Sequence, residues 1–352
     1  MQKSICSIFT LLILWTSVSS LSAQKVTVNA AKEKATQFLN KPNKSDAARK
    51  APHLAPKLVL ANERDELFIF NDEANGGYVI VSGDERTPDV LAYSENGHYD
   101  SKHVPCNMQA VLDGYAEQIA YLRAHPAYKM PTTDTRIEEK KVAPLLGETS
   151  WSQDWPYNIM CPTIGGQHCL TGCVATATAQ LMYYHKWPER GKGIFSYEWN
   201  GQTLSVDFSQ SVYRWNLMTP KYNSNSIQES CDAVALLMRD VGYACATNYD
   251  LYGSGAAGSE WGLIHNFDYD ESMGLMFRNY CDADSWHHFI MDDLLNGLPV
   301  LYSGGDSKGG EAHALVIDGY DGEGYYHFNF GWGGPPMEIT RCCPFVTIYQ
   351  QK

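Results

Sequence analysis

Two stretches of this chain, about 140 residues apart, hold side chains that could do chemistry together. In Thr171-Gly172-Cys173-Val174-Ala175-Thr176-Ala177-Thr178-Ala179-Gln180 a cysteine follows a glycine turn and heads a run of small residues with helical character. A thiol at a helix N-terminus meets roughly half a positive charge, which favours the thiolate. The thiolate is the nucleophilic form, so Cys173 stands where covalent catalysis needs one. The plainer alternative is a buried structural cysteine, a common fate of that residue. The second stretch begins with a glycine-rich loop, Ser303-Gly304-Gly305-Asp306-Ser307-Lys308-Gly309-Gly310-Glu311. It runs into His313-Ala314-Leu315-Val316-Ile317-Asp318-Gly319, an apolar run expected to form a buried strand. His313 therefore stands where a loop meets a rigid element. A turn at Asp321-Gly322-Glu323-Gly324 leads to Tyr325 to Phe330, the expected hairpin partner, and brings Asn329 within reach of His313. A nucleophile, a base and an amide that orients the base make a catalytic triad, of which Cys-His-Asn is one version.

These residues need elements to hold them. Asn29 to Leu39 is predicted helical and residues 40–56 a polar loop. Lys57 to Asp72, Gly77 to Ser82 and Val90 to Ser94 are predicted as short strands between Asn, Asp and Gly turns. Met108 to Arg123 places Val111, Tyr115, Ile119 and Leu122 on one helical face. Together they predict a small α+β unit. An unpatterned connector follows, Pro131 to Lys141, ending Glu138-Glu139-Lys140-Lys141 and open to proteolysis. Beyond it come Trp151 to Cys161, the Cys173 helix to about His185, weak strands to residue 217, and a helix from Ser226 to Gly242 with a Ser226/Glu229 capping box. Shorter helices are expected over Ser259 to Asn266 and Asp284 to Asn296, and late strands over Val300 to Ser303, His313 to Tyr320 and Tyr325 to Phe330. Helices first and strands last predict an α+β fold, a helical layer against a twisted antiparallel sheet, with a substrate groove between the layers.

Composition narrows the class. Residues 1–23 have the pattern of a secretory signal peptide, with an apolar run from Ile8 to Trp15 and cleavage expected after Ala23. That run is too short for a membrane anchor and no other segment approaches ~20 apolar residues, so an exported, soluble product is expected, extracellular or held at the cell surface by other means. Residues 1–141 hold 17 Lys+Arg against 17 Asp+Glu, whereas residues 142–352 hold 10 against 23 and carry the whole net charge of −13. Such a surface repels phosphates and argues against nucleic acid; solubility is its plainer use. The ten cysteines are irregularly spaced, without a disulfide framework. Cys161, His168, Cys169 and Cys173 cluster but lack paired CxxC spacing, and Asp268, Asp270 and Glu271 lack the EF-hand pattern. No metal or cofactor is expected. His185, His265, His287, His288 and His327 are expected on helix or strand faces without catalytic work. Trp187, Trp199, Trp215, Trp261 and Trp286 are expected in the core or as groove walls, and Asp318, Asp321 and Glu323 in turns.

Taken with Ala312-His313-Ala314-Leu315-Val316-Ile317-Asp318-Gly319 and Asn329-Phe330-Gly331-Trp332-Gly333-Gly334, the Cys173 motif resembles the streptopain family of bacterial cysteine proteases, interpain-type members above all. Tyr78-Val79-Ile80-Val81-Ser82-Gly83-Asp84-Glu85-Arg86 is similar to that family's pro-domain. The resemblance implies a papain-like fold made as a zymogen: signal peptide 1–23, inhibitory pro-domain and connector 24–141, catalytic domain 142–352. It implies Cys173 as nucleophile and His313 as base. Trp151-Ser152-Gln153 with Pro156-Tyr157-Asn158 resembles the segment that supplies an oxyanion-hole glutamine, here Gln153. Gly172, Phe330 and Trp332 are expected to support the site. Two departures stand out. Phe330 replaces a tryptophan that often follows the asparagine. Pro335 to Pro344 stands where the family usually has a short Asp-Gly-aromatic strand; if that strand covers the sheet edge, its loss lowers stability or solubility.

The reading that follows is a secreted, monomeric cysteine endopeptidase, activated by removal of its pro-domain and acting on extracellular host proteins. A Cys-His amidase or transglutaminase shares the triad, and a non-catalytic secreted adhesin or immune-binding protein could use the same scaffold. The pro-domain and the Gln153 segment favour the protease over the first, and the complete Cys173, His313, Asn329 set argues against the second.

Overall fold

A computed structural model of the chain describes residues 25–41, 54–126, 140–304, 312–334, 337–340 and 347–350. The expected leader, and most of the 40–56 loop, the connector and the glycine-rich loop, lie outside these residues. Thr27 starts α1 (Val28–Leu39) by accepting the Ala30 N–H on its Oγ1 at 3.3 Å. Four strands then meander: β1 (Leu58–Glu63), β2 (Leu67–Asp72), β3 (Tyr78–Ser82) and β4 (Val90–Ser94). They are followed by α2 (Cys106–Ala124). The Lys57 to Asp72 run thus splits into two strands.

The second half opens with a small hairpin, β5 (Thr163–Ile164) and β6 (Gln167–His168), before α3 (Cys173–His185). A separate hairpin, β7 (Ile194–Trp199) and β8 (Gln202–Asp207), precedes α4 (Gln228–Ala244) and α5 (Glu260–Phe267). Then come β9 (Gly274–Phe277), α6 (Ala283–Leu295), β10 (Val300–Gly304), β11 (His313–Tyr320), β12 (Tyr325–Asn329), β13 (Met337–Thr340) and β14 (Thr347–Gln350). Among the described residues no helix is long and apolar enough to cross a membrane.

The two halves share one antiparallel sheet in the order β1-β2-β3-β4-β13-β12-β11-β10-β14-β9. The joint is β4 against β13, where Ala92 faces Ile339 and Tyr93 faces Glu338. Strand β11 is buried on both faces, as its unbroken apolar run predicts. Its Ala314 and Val316 pack with α3 and α4, in a cluster that includes Cys173, Leu181, Val234 and Leu237. Its Leu315 and Ile317 pack in another cluster with Trp286 and Ile290 of α6, and with Ile69, Ile80, Val111 and Tyr115 from the first half. One core therefore belongs to both halves. The other face of the first-half strands, through Phe68, Phe70, Val79 and Val81, covers Ala31 and Ala35 of α1.

Two expectations are corrected. The Ser226/Glu229 capping box does not form; α4 starts after Ile227 without a side-chain cap, and the Ser226 hydroxyl accepts the Asn223 N–H at 3.0 Å instead. Asp318 lies inside β11, fully buried, and not in the turn that follows. The unusual C-terminal segment leaves no uncovered edge beside β12. Met337 and Ile339 alternate into the shared core, which makes β13 the link between β12 and β4, while β14 lies between β10 and β9.

Candidate active site

Cys173 is the first residue of α3, and the backbone before it permits only glycine. Gly172 has φ +87°, and a Cβ there would stand 2.9 Å from the Ser254 carbonyl oxygen. The Gly172 carbonyl accepts both the Thr176 N–H at 3.1 Å and the Thr176 hydroxyl at 2.9 Å. Thr171 and Thr176 join their hydroxyls at 2.8 Å. These bonds hold the thiol at the positive end of the helix dipole. The small residues that follow, Ala175, Ala177 and Ala179, are buried, and α3 lies close on β11.

His313 is the first residue of β11, opposite Gly304 of β10, and is buried. The next residue, Ala314, shares a cluster with Cys173, so the expected nucleophile and base sit on two elements packed together. Gln153 is half-buried, and its carbonyl accepts the Thr171 N–H at 3.0 Å, two residues before Cys173. Fully buried Trp151 holds that segment down. Its N–H donates to Gln180 Oε1 at 3.3 Å, its indole N–H to the Thr219 carbonyl at 2.9 Å, and its carbonyl accepts the Gly333 N–H at 2.9 Å.

Asn329 ends β12 opposite Val316, three residues along β11 from His313, roughly 10 Å of strand. Its Nδ2 donates to the Thr149 carbonyl at 2.7 Å and its Oδ1 accepts the Gly331 N–H at 3.1 Å. In the full chain the amide thus ties the segment before Gln153 to the turn after β12. Phe330 is a core residue, stacked between Phe328 and half-buried Trp332 with centroids 6.1 and 4.6 Å away. Gly331, at φ +66°, lets that turn approach α3, since a Cβ would fall 2.8 Å from Thr176 Cγ2.

The other thiols differ in setting from Cys173. Burial pushes Cys161 up to about 12, and burial also raises Cys169, Cys231 and Cys245. His168 meets the Cys161 carbonyl at 3.0 Å through Nδ1. Asp268 pairs with Lys192, and Asp270 accepts the Ser272 N–H at 2.8 Å. Among the described residues no group of three or more His, Cys, Asp or Glu side chains could hold a metal ion. Trp199 and Trp286 are core, Trp215 is half-buried, and Trp187 and Trp261 are exposed. One pair escaped the sequence reading: His327 Nδ1 meets Asp318 Oδ1 at 2.5 Å, both buried. An aspartate inside an apolar run was the signal, hidden because Asp-Gly also suggests a turn.

A model of the peptidase C10 family matches residues 151–336, and one of the Spi protease inhibitor matches residues 23–119. Streptopain of Streptococcus pyogenes is 34% identical over 334 residues, covering 86% of this chain and 81% of streptopain. The thiol protease/hemagglutinin PrtT of Porphyromonas gingivalis is 31% identical over 353 residues, covering 93% of this chain, which spans only 40% of PrtT. A Prevotella intermedia prointerpain A fragment superposes with a TM-score of 0.74 at 25% identity, over 84% of this chain and 98% of that one. Active interpain A superposes with a TM-score of 0.55 at 30% identity, over 62% and 98%. The architecture is the papain-like fold of these proteases with a pro-domain ahead of it. An inhibitor unit joined in one chain to a protease unit is the organisation of a zymogen, and the chain belongs to the peptidase C10 family of cysteine endopeptidases.

Proposed function

We propose that the chain is secreted with loss of residues 1–23, that residues 24–141 form the inhibitory pro-domain and connector, and that residues 142–352 form the monomeric catalytic domain. Cys173 is the nucleophile, His313 the base, and Gln153 with the Cys173 backbone N–H the oxyanion hole. The observation that supports this reading is the bond between the Gln153 carbonyl and the Thr171 N–H, which ties the Gln153 backbone to the turn before α3. His313 draws the proton from Cys173, and the thiolate attacks a peptide carbonyl. The oxyanion is held by the two donors, and protonated His313 hands its proton to the leaving amine. Water then hydrolyses the acyl-enzyme. Asn329 orients His313 once the pro-domain has left; Gly172, Phe330 and Trp332 shape the surroundings. The pro-domain, docked through β4 and the shared core, silences the enzyme by keeping His313 from Cys173. Extracellular host proteins are the proposed substrates, cut two residues after an apolar side chain, as the family resemblance implies.

Intact mass and casein hydrolysis followed over time, for the full chain and its Cys173→Ala variant under reducing conditions, test this reading. The wild-type chain is expected to shed residues 24–141 (118 residues) and gain activity while the variant stays long and inert. Casein hydrolysis by the variant, or none by a matured wild-type chain, would overturn it; the second result would favour a binding protein or a Cys-His transferase.

A further inference from the structure

Between the connector and Gln153 the chain forms a strap, residues 142–153, laid on β11 and across the end of β12. Val142 and Tyr320 exchange two backbone hydrogen bonds of 2.9 Å, and the Leu145 N–H donates to the Asp318 carbonyl at 2.8 Å. The Asp318 side chain adds a further tie. Its Oδ2 accepts the Leu146 N–H at 2.9 Å, while its Oδ1 meets His327 Nδ1 of β12. Asp318 is fully buried. A buried carboxylate is costly unless its oxygens are occupied, and here one is occupied by β12 and the other by the strap. Gly319 makes room for the crossing: a Cβ there would stand 3.0 Å from the Val142 carbonyl oxygen, 3.1 Å from His327 Cβ and 3.2 Å from Pro144 Cα.

Little slack separates this anchor from the candidate site. The Gly147 N–H returns to the Pro144 carbonyl at 3.2 Å and the Thr149 N–H to the Leu146 carbonyl at 3.1 Å, a tight double turn. Thr149 is then held by Asn329, Trp151 by Gln180 and Gly333, and Gln153 by Thr171. A shift of the strap at Leu146 is passed along these residues. We propose that Asp318 is a positioning residue for Gln153: paired with His327, it sets the register of the strap so that the Gln153 amide stands where the oxyanion forms. This rests on the role given to Gln153 above. A displacement of about 1 Å at a reacting centre can cost on the order of 10²-fold in rate.

Full-length Asp318→Asn, Gly319→Ala and Gln153→Ala chains, and the two double variants with Gln153→Ala, test the proposal. Each is cut at the connector with trypsin, which is then blocked, and rates are normalised to titrated Cys173. Asp318→Asn keeps the shape and turns one of the two oxygens that meet Leu146 and His327 into an N–H donor; Gly319→Ala pushes the same strap from beneath. Each is expected to lower kcat about tenfold or more with KM changed less than about threefold. Alkylation of Cys173 by iodoacetamide, which forms no oxyanion, is expected to keep its wild-type rate. Both effects should largely vanish in the Gln153→Ala background, because residues acting through one group are not additive. Wild-type kcat in both single variants, losses that multiply undiminished onto Gln153→Ala, or alkylation that falls in step with kcat would each overturn it. Wild-type kcat in Gln153→Ala alone would remove the reading of Gln153 itself, a result visible without the Asp318 variants.

Discussion

The Thr171 N–H donates to the Gln153 carbonyl at 3.0 Å, so the segment after the connector and the turn before Cys173 meet in one backbone bond. Neither can shift without the other. Gln153→Ala leaves that bond in place and removes only the side-chain donor. It is expected to lower kcat on the order of 10²–10³-fold with little change in KM. Steady-state kinetics on the matured enzyme check this, and an effect confined to KM would argue against an oxyanion role.

Gly172 is required twice, for its positive φ and for the 2.9 Å approach of the Ser254 carbonyl. Gly172→Ala is expected to lose about 1–3 kcal/mol of stability and to misplace Cys173. Urea unfolding of the full chain, with peptidase turnover on the same protein, reads both. Wild-type stability and turnover together would show that the turn relaxes freely.

Position separates the buried thiols, because Cys173 alone of Cys161, Cys169, Cys173, Cys231 and Cys245 heads a helix. With Cys161 pushed up by burial to about 12, hardly any of it is thiolate at pH 7. Cys169, Cys231 and Cys245 are raised by the same cause. Brief iodoacetamide treatment of the matured enzyme at pH 7 is expected to modify Cys173 ahead of these four, as peptide mapping by mass would show. Equal labelling of Cys161 and Cys173 would contradict the arrangement.

Asp321 carries a pH dependence across the joint between the halves. Its Oδ1 accepts the Glu323 N–H at 2.7 Å and the Tyr325 N–H at 3.0 Å, and its Oδ2 accepts the Tyr93 hydroxyl at 3.5 Å. Burial raises it above its ordinary 3.8 despite those backbone donors. The folded chain then holds this proton more tightly than the unfolded chain. The stabilisation is complete below about 3.8 and is lost as pH rises through the raised value. Asp321→Asn, in a Cys173→Ala chain, is therefore expected to narrow the fall in Tm between pH 4 and pH 7. An unchanged fall in Tm would assign the pH dependence to other groups.

Tyr93 of β4 reaches across the same joint, with its ring 5.4 Å from Tyr325 and 5.0 Å from Phe38. Tyr93→Ala is expected to cost about 2–4 kcal/mol and to shorten the lag before casein hydrolysis begins. A stability loss with an unaltered lag would separate folding of the pro-domain from its hold on the protease.

Much of the site was legible in local pattern. The glycine before Cys173, the small residues after it and the unbroken apolar run behind His313 predicted α3 and β11 to within a residue or two. Gln153 is different: a glutamine in a loop has no periodicity, and only a resemblance pointed to it. Asn329 was placed on the right strand, but its hydrogen bonds run to Thr149 and Gly331, partners set by the register of β12 and by the path of the strap. Asp318 departs from its local signal, because Asp-Gly favours a turn, whereas burial between Leu146 and His327 holds it in a strand.

The sequence by itself determined where Cys173, His313 and the helix and strand that carry them lie, because helix starts and strand alternation depend on neighbours a few residues apart. Tertiary structure decided which backbone groups those elements meet. The Leu146 to Asp318 bond spans 172 residues and the Asn329 to Thr149 bond 180, separations that no local periodicity encodes. It also decided that the C-terminal segment joins the sheet of the first half at β4, since Met337 and Ile339 find their apolar cover only in a core to which both halves contribute.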